Sequence, residues 1–522
     1  MQYQTRSTAS ILRVGVLLGG LTAAFLPTVA CAGLFEDSVS GDVSNADSAS
    51  SASMESASDR TEADGTETEA ETGDASAPAP TVVERIVERT GLDFDFNGHI
   101  RGDLFIGKMP DYSRVEIKNG YGELALKLKV SKGSYGSAFA DVRFQGGFLN
   151  DQHYLGQPSD TAASGEDLWE FDASVKLREA YINVYAGSHF DLKFGQQIIV
   201  WGRADGINPT NNLTPIDMRV RSADEDDRRL SNLALRMNLN FSPVRIEGVW
   251  VPFYVPSLMP SINLESDYTL EFTDPKYPNK DVTKGTYAGK IHLLLPAVEM
   301  SLSYLYGHSL IPGVSIEDTF VDQNLVILRR TAFQHHVAGF DFSTVIAGKV
   351  GFRGEAAFKY PVDYKDEQPY ERSDFDYQVA VPNPEVYYVL GLDKEFGNVM
   401  LLAQYIGKTV INWEEVQDAM ITGYSQLTAK NRIIQGQTEQ YQHGVSGRIE
   451  WKTLHDTLSL SAFGMVNVST KEWLVYPKIG YNITDAMLLT VGAEIYQGPS
   501  ESLFGYVEEI LTAGYTELKI AF

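Results

Sequence analysis

The sequence predicts an all-β fold: a transmembrane antiparallel β-barrel of about 18 strands, with about 16 as the alternative, behind a disordered N-terminal segment. Three observations carry this. Apolar and polar residues alternate with a period of two along residues 92–522. Short and long connections take turns over the same stretch. The chain ends on an amphipathic strand, with Thr516, Leu518, Ile520 and Phe522 on one face.

Residues 1–32 have the form of a signal peptide. Arg6 and Arg13 precede an apolar core at 14–26, and Ala30-Cys31-Ala32 makes a small-residue cleavage site. The chain is therefore expected to be exported. Cys31 is the only cysteine. Cleavage after Ala32 leaves no thiol for a disulfide, whereas lipidation would make Cys31 the new N-terminus. Beyond the leader there is no run of about 18 apolar residues, so no transmembrane helix is expected. Residues 33–80 are rich in Ser, Ala, Asp, Glu, Thr and Gly and nearly devoid of large apolar side chains. They bury too little to offset the entropy of ordering and are expected to be disordered. They also carry much of the formal net charge of −26, a balance that excludes nucleic acid as a partner. Residues 81–91 read as a linker or short helix, with Val82, Val83, Ile86 and Val87 at helical spacing.

The barrel is assigned to residues 92–522. Leu124, Leu126, Leu128 and Val130 alternate with Glu123, Ala125, Lys127 and Lys129. Leu233, Leu235, Met237 and Leu239 alternate with Asn232, Ala234, Arg236 and Asn238. Comparable segments surround Met300, Phe352 and Ile449. Period two is the mark of a strand with unlike faces. Tight turns are expected at 132–135, 187–189, 242–243, 296–297, 347–348, 396–397, 455–456 and 484–485. Long loops are expected at 109–114, 148–171, 202–230, 256–283, 309–330, 362–383, 412–441 and 499–512. The link 467–472 is short where a long loop is due.

A soluble sandwich would alternate too. Here the polar faces hold charges along their length, including Lys127, Arg236, Arg353 and Arg448, while the opposite faces are continuously apolar. Lipid requires every backbone group to pair internally, which a closed barrel achieves. Aromatic residues near strand ends, among them Trp169, Phe171, Tyr181, Tyr185, Trp201, Trp250, Tyr254, Trp413, Trp473 and Tyr476, suit interfacial belts.

The polar faces define a lumen, with Lys127, Lys129, Arg236, Glu299, Arg353, Glu355, Arg448 and Glu450 as candidate lining residues. A barrel of about 16–18 strands leaves an aqueous channel, and charged rings tune which solutes pass. Residues 202–230 form the third long loop, dense in opposed charges: Arg203, Asp205, Asp217, Arg219, Arg221, Asp224, Arg228 and Arg229. They are the candidate constriction, against the alternative of a solvated surface loop. The acidic run 224–227 has oxygen donors suited to calcium, but its spacing matches no calcium loop, and no metal or cofactor is assigned.

Leu177-Arg178-Glu179-Ala180-Tyr181, Gly195-Gln196-Gln197 through Trp201-Gly202, and Asp205-Gly206-Ile207-Asn208-Pro209-Thr210 form a pattern of their own. It resembles a group of poorly characterised bacterial outer-membrane barrels in which an REAY strand precedes a GxQxxxWG strand and an Asn-Pro loop. More distantly it is similar to alginate-export-type porins. Gln196 stands where many of that group have Arg. The resemblance implies an outer-membrane porin or exporter barrel. By its position, the loop 202–230 separately resembles the third loop of general porins, which folds inward and narrows the pore.

No serine elbow, phosphate loop or zinc-protease motif occurs, and His335 and His336 project to opposite faces of a strand. The expectation is therefore no enzyme and no catalytic residue. The expected function is an outer-membrane channel of a diderm bacterium that lets small polar solutes diffuse. The alternatives are a substrate-specific channel or exporter for saccharide or lipid-like compounds, and a surface adhesin. Expected partners are outer-membrane lipids, the barrel-assembly machinery through Phe522, the solutes themselves and further copies of the chain.

Overall fold

The structure, a computed structural model, describes residues 90–108, 115–148, 172–258, 269–278, 280–364, 380–415, 422–499 and 502–522. The leader, the acidic segment 33–80, nearly all of 81–91, the loops at 109–114 and 149–171, and with them Trp169 and Phe171, lie outside the described residues.

The chain opens with β1 (Asp93–Lys108), β2 (Val115–Lys132), β3 (Gly136–Phe148), β4 (Asp172–Ala186) and β5 (Phe190–Gln197). Next come β6 (Asn232–Phe241), β7 (Val244–Val251), a short β8 (Thr269–Phe272), β9 (Thr286–Leu294) and β10 (Val298–His308). The pair β11 (Gly313–Phe320) and β12 (Leu325–Thr331) precedes β13 (Gln334–Ile346), β14 (Val350–Pro361), β15 (Glu385–Phe396) and β16 (Val399–Val410). Helix α1 (Thr422–Gln435) leads to β17 (Tyr441–Thr453), β18 (Leu458–Asn467), β19 (Glu472–Thr484) and β20 (Met487–Gln497). Helix α2 (Leu503–Leu511) leads to β21 (Ala513–Ala521).

Eighteen of these strands form one sheet, leaving out β8, β11 and β12. All its neighbours are antiparallel, and β1 pairs with β21 from His99↔Ala521 to Ile106↔Gly514, which closes the barrel. Phe522 continues the seam by exchanging backbone hydrogen bonds with Gly98, 2.9 and 3.0 Å. The expected tight turns all fall at one rim, where β1 begins and β21 ends. The long connections fall at the other, and the link between β18 and β19 stays short there.

The alternation sets which way each side chain points. Leu128, Ile182, Met237, Leu302, Phe340, Phe358, Leu390, Val445 and Ile449 are exposed on the outside. A continuous apolar outer surface is unfavourable in water and suits hydrocarbon, where the closed hydrogen-bond ladder leaves no edge.

Two features depart from the sequence reading. The long connections are not irregular throughout. Strands β8, β11 and β12 form a second, small sheet, and α1 and α2 are helices. Second, the expected wide aqueous lumen is filled at the long-loop end. Leu427, Ile433 and Ile434 of α1, Leu503, Phe504, Val507 and Leu511 of α2, and Val314, Ile316, Val326 and Leu328 of β11 and β12 pack into one apolar cluster. It includes the inward wall residues Tyr387, Val389, Ile406, Phe463, Met465, Leu474, Tyr476 and Tyr496. The connections fold because the barrel interior gives their apolar faces somewhere to go, and tertiary burial stabilises short helices better than propensity does. Ser502 caps α2, its Oγ accepting from Gly505 N at 3.2 Å.

Phe504 is fully buried against Tyr496 and sits at the centre of this packing. Phe504→Ala is expected to cost about 3–5 kcal/mol of local stability. The measurement is protease cleavage within 498–512, which should accelerate while the barrel keeps its heat-modifiable gel mobility. Unchanged cleavage would refute the packing role.

Candidate functional site

The segment between β5 and β6, residues 198–231, leaves the wall and crosses the lumen. The departure is local chemistry. Gly195 adopts φ +138, where a Cβ would meet Ala180 O at 2.3 Å and Tyr181 Cα at 2.6 Å. The ladder stops at Gln197, and Ile198 N instead donates to Glu179 Oε1 at 2.9 Å. Trp201, expected at a membrane interface and in the wall, is buried inside the barrel, its Nε1 donating to Glu247 Oε1 at 3.0 Å. The expectation failed because β5 ends four residues short of Trp201 and the chain has already turned inward. Tyr476 is likewise inside, hydrogen-bonded to Tyr496.

Glu355 on β14 receives the crossing segment. Its carboxylate accepts from Arg203 N (2.9 Å), Ala204 N (3.1 Å), Thr210 N (2.6 Å) and Thr210 Oγ1 (2.7 Å). Gly202, at φ +111, allows this approach, since a Cβ there would lie 2.7 Å from the carboxylate. Arg203 donates to Asp341 Oδ1 of β13 and Glu299 Oε2 of β10, both at 2.7 Å. Asp205 pairs with Arg448 of β17 at 2.8 Å. Arg353 donates to Arg203 O at 3.3 Å and pairs with Asp393.

The segment then doubles back on itself. Asp217 N donates to Arg228 O, and Leu230 N to Pro215 O. Asp217 and Arg219 pair with each other at 2.9 Å. Arg221 and Arg228 both reach Glu494 of β20, each at 2.8 Å. Asp224 caps a short 3-10 turn by accepting from Asp226 N, and Arg229 pairs with Asp226. The far end is tied at Asp227. Its carboxylate lies 2.5 Å from Arg101 of β1, 2.6 Å from Arg143 of β3 and 3.2 Å from Arg178 of β4, and accepts from Ser222 Oγ at 2.6 Å. The segment is thus fastened to opposite walls of the barrel by charge-assisted hydrogen bonds.

Of the lining residues read from the sequence, Glu299, Arg353, Glu355 and Arg448 meet the crossing segment. Arg236 pairs with Glu247, which also holds Trp201. Lys127, Lys129 and Glu450 take inward positions nearer the short-turn rim, and no hydrogen bond or ion pair to residues 198–231 is described for them. The opposed charges of the loop largely neutralise one another or the wall in pairs. Sequence reasoning missed Arg101, Arg143, Asp341 and Glu494. Their inward alternation was the available signal, but nothing in it told which wall charge a distant loop would reach.

Arg178 and Glu179 explain why two charged neighbours stand together. The β3–β4 register shifts between Asp141 and Val142, so that Asp141 faces Glu179, Val142 faces Leu177, and Arg178 is the extra residue. Such a bulge turns consecutive side chains to one side. Arg178 bonds Asp226 O and Asp227, while Glu179 holds Ile198 N.

Burial pushes the Asp227 carboxyl up, but Arg101, Arg143 and Arg178 outweigh it and hold the group well below the usual carboxylate range. Glu225 is the reverse case. Burial holds its carboxyl well above the ordinary value, with Arg228 and Arg448 offsetting only part. Its Oε2 is buried without a hydrogen-bond partner.

This arrangement defines an 18-stranded barrel whose lumen is crossed by a wall-anchored segment. The chain belongs to the family described as Protein of unknown function (DUF1302), whose model matches residues 13–462. No curated protein matches the sequence. Among solved structures it is similar to Acinetobacter baumannii OccAB3, at 12% identity and TM-score 0.45, over 82% of this chain and 98% of that one. Pseudomonas aeruginosa OccK9 (OpdG) gives 9% and 0.45, with the same coverages. A BenF-like porin from Pseudomonas fluorescens Pf-5 gives 10% and 0.45, again over 82% and 98%.

Asp227→Asn leaves buried guanidinium charge uncompensated and is expected to cost about 3–5 kcal/mol of docking. Hydrogen exchange of residues 216–229 measures it, and unaltered protection would refute the tie. In the native chain the Asp227 contribution persists above the unfolded value of about pH 4 and is lost only as pH falls through the depressed folded value. Glu225→Gln acts at the other end of the range. As pH rises above about 4.3 the unfolded carboxyl ionises more readily than the buried one, so the native residue weakens docking. The variant is expected to raise protection of 216–229 near pH 8, nearly four units above that unfolded pKa, and to change little near pH 4, just below it. Equal protection of variant and native chain near pH 8 would refute it.

Proposed function

We propose that the protein is a passive channel of the outer membrane of a diderm bacterium, which admits small polar solutes selectively and not as a wide open pore. The observation that carries this is the attachment of residues 198–231 to opposite walls, through Glu355 and Asp341 on one side and Arg101, Arg143 and Glu494 on the other. A barrel of this strand number without such a segment would leave an open aqueous lumen. With it, solutes pass only along what the segment leaves free, between charged and amide-bearing walls. The outward apolar belt supplies the contact with outer-membrane lipids, and the final strand ending in Phe522 is the part that the barrel-assembly machinery would engage. Selectivity for one solute class is favoured over unselective diffusion by the apolar packing around the segment.

The test is single-channel recording in planar bilayers. The native protein is expected to give small, discrete conductance steps, and Arg203→Ala to raise their size by loosening the segment from Asp341 and Glu299. A folded, heat-modifiable preparation that yields no steps would overturn the channel. Native steps as large as those of the variant would overturn the constriction.

A further inference from the structure

A small recess lies at the long-loop end, beside the crossing segment. Residues 208–216 of that segment form one side, 309–311 another, and the ends of β13 to β16 much of the rest. Its volume is about 80 Å³. A water molecule needs roughly 10–15 Å³ of such space, and a cavity of about 150 Å³ admits benzene. The recess therefore has room for an ion or molecule of about four heavy atoms, smaller than a six-membered ring.

The charges around it do not balance. Lys359 of β14 and Lys408 of β16 face one carboxylate, Glu385 of β15. Glu385 Oε1 lies 3.4 Å from Lys359 Nζ, and its Oε2 lies 3.3 Å from Lys408 Nζ. Both separations exceed the roughly 2.7–2.9 Å of a strong ammonium–carboxylate hydrogen bond. Glu385 Oε2 also accepts from Gln437 Nε2 at 3.0 Å. One carboxylate is thus divided between two ammonium groups, each of which carries three N–H donors. Lys408 and Glu385 are buried, so water does little to screen the excess positive charge.

A second observation points the same way. His335 of β13 lines the recess and is buried, and its Nε2 has no hydrogen-bond partner. With its proton on Nε2 the ring is one more donor. Three neighbouring strands therefore bring N–H groups to one small space. A cation there would meet two ammonium groups. A neutral molecule would leave the excess charge unanswered. An anion answers both the charge and the unpartnered imidazole nitrogen.

We propose that this recess binds a small monovalent anion of carboxylate size, held by Lys359, Lys408 and His335. The full chain in detergent is titrated with isotope-labelled acetate at fixed ionic strength, and binding is followed by NMR line broadening. Acetamide serves as the uncharged molecule of the same shape. The readout needs no bilayer, so the site stands or falls separately from the channel. Acetate is expected to bind saturably and not to be displaced by equimolar acetamide. Lys359→Gln is expected to weaken binding roughly tenfold or more. Glu385→Gln removes the competing carboxylate and is expected to tighten it severalfold, whereas a carboxylate that only supported the wall would give no gain. Heat-modifiable gel mobility checks that each variant is folded. Absence of saturable acetate binding to the native chain, displacement by acetamide, or undiminished binding to folded Lys359→Gln would overturn the site. If Lys359→Gln does not fold, Glu385→Gln decides: acetate binding that is unchanged or weaker there would overturn it.

Discussion

The carboxylate of Asp227 is surrounded by three guanidinium groups from three different strands, and the interior depends on this contact. A charged segment cannot enter a confined lumen unless each charge finds a partner there, because the lost hydration is large. Asp227 meets that condition at one end and Glu355 meets it at the other by accepting from backbone N–H groups. The arginines are in turn balanced: Arg101 also contacts Glu123 and Glu517, and Arg143 contacts Asp141. Ion pairs this buried contribute less to net stability than to the choice of one arrangement over others. Here the chosen arrangement is a path across the barrel.

The outer and inner surfaces obey different rules. Outside, period-two alternation has only to present apolar side chains to lipid, and many residues satisfy that. Inside, position matters residue by residue. The bulge at Arg178 and the positive φ at Gly195 and Gly202 exist where the wall must release the chain and receive it again. These departures from regular strand geometry lie where the segment leaves the wall and where it is held.

The barrel was readable because its signal is repeated in every strand: the alternation around Leu124, Leu235 and Ile449, the tight turns, and the final strand ending in Phe522 all point one way. The crossing segment was readable as charged and long, but its destination was not. Trp201 looks like an interface residue in sequence and is buried beside Glu247, because a wall strand and a departing strand share composition until the ladder stops. The helix at 503–511 was overlooked although Leu503, Phe504, Val507 and Leu511 repeat at helical spacing, since a segment that short is stabilised by what it packs against. Arg101 and Glu494 were invisible as partners. They lie over a hundred residues from the side chains they meet, Asp227 and Arg228, and nothing local marks them.

Arg101 lies on β1 and bonds Glu517 of β21, so the Asp227 cluster straddles the line where the first and last strands meet. Its three arginines stand on β1, β3 and β4, and only the Glu517 contact waits for the final strand. The crossing segment also reaches Glu494 of β20 through Arg221 and Arg228, so its anchorage joins strands from both ends of the chain. Once in place it acts as a latch on the seam, holding from within the one junction that no turn connects.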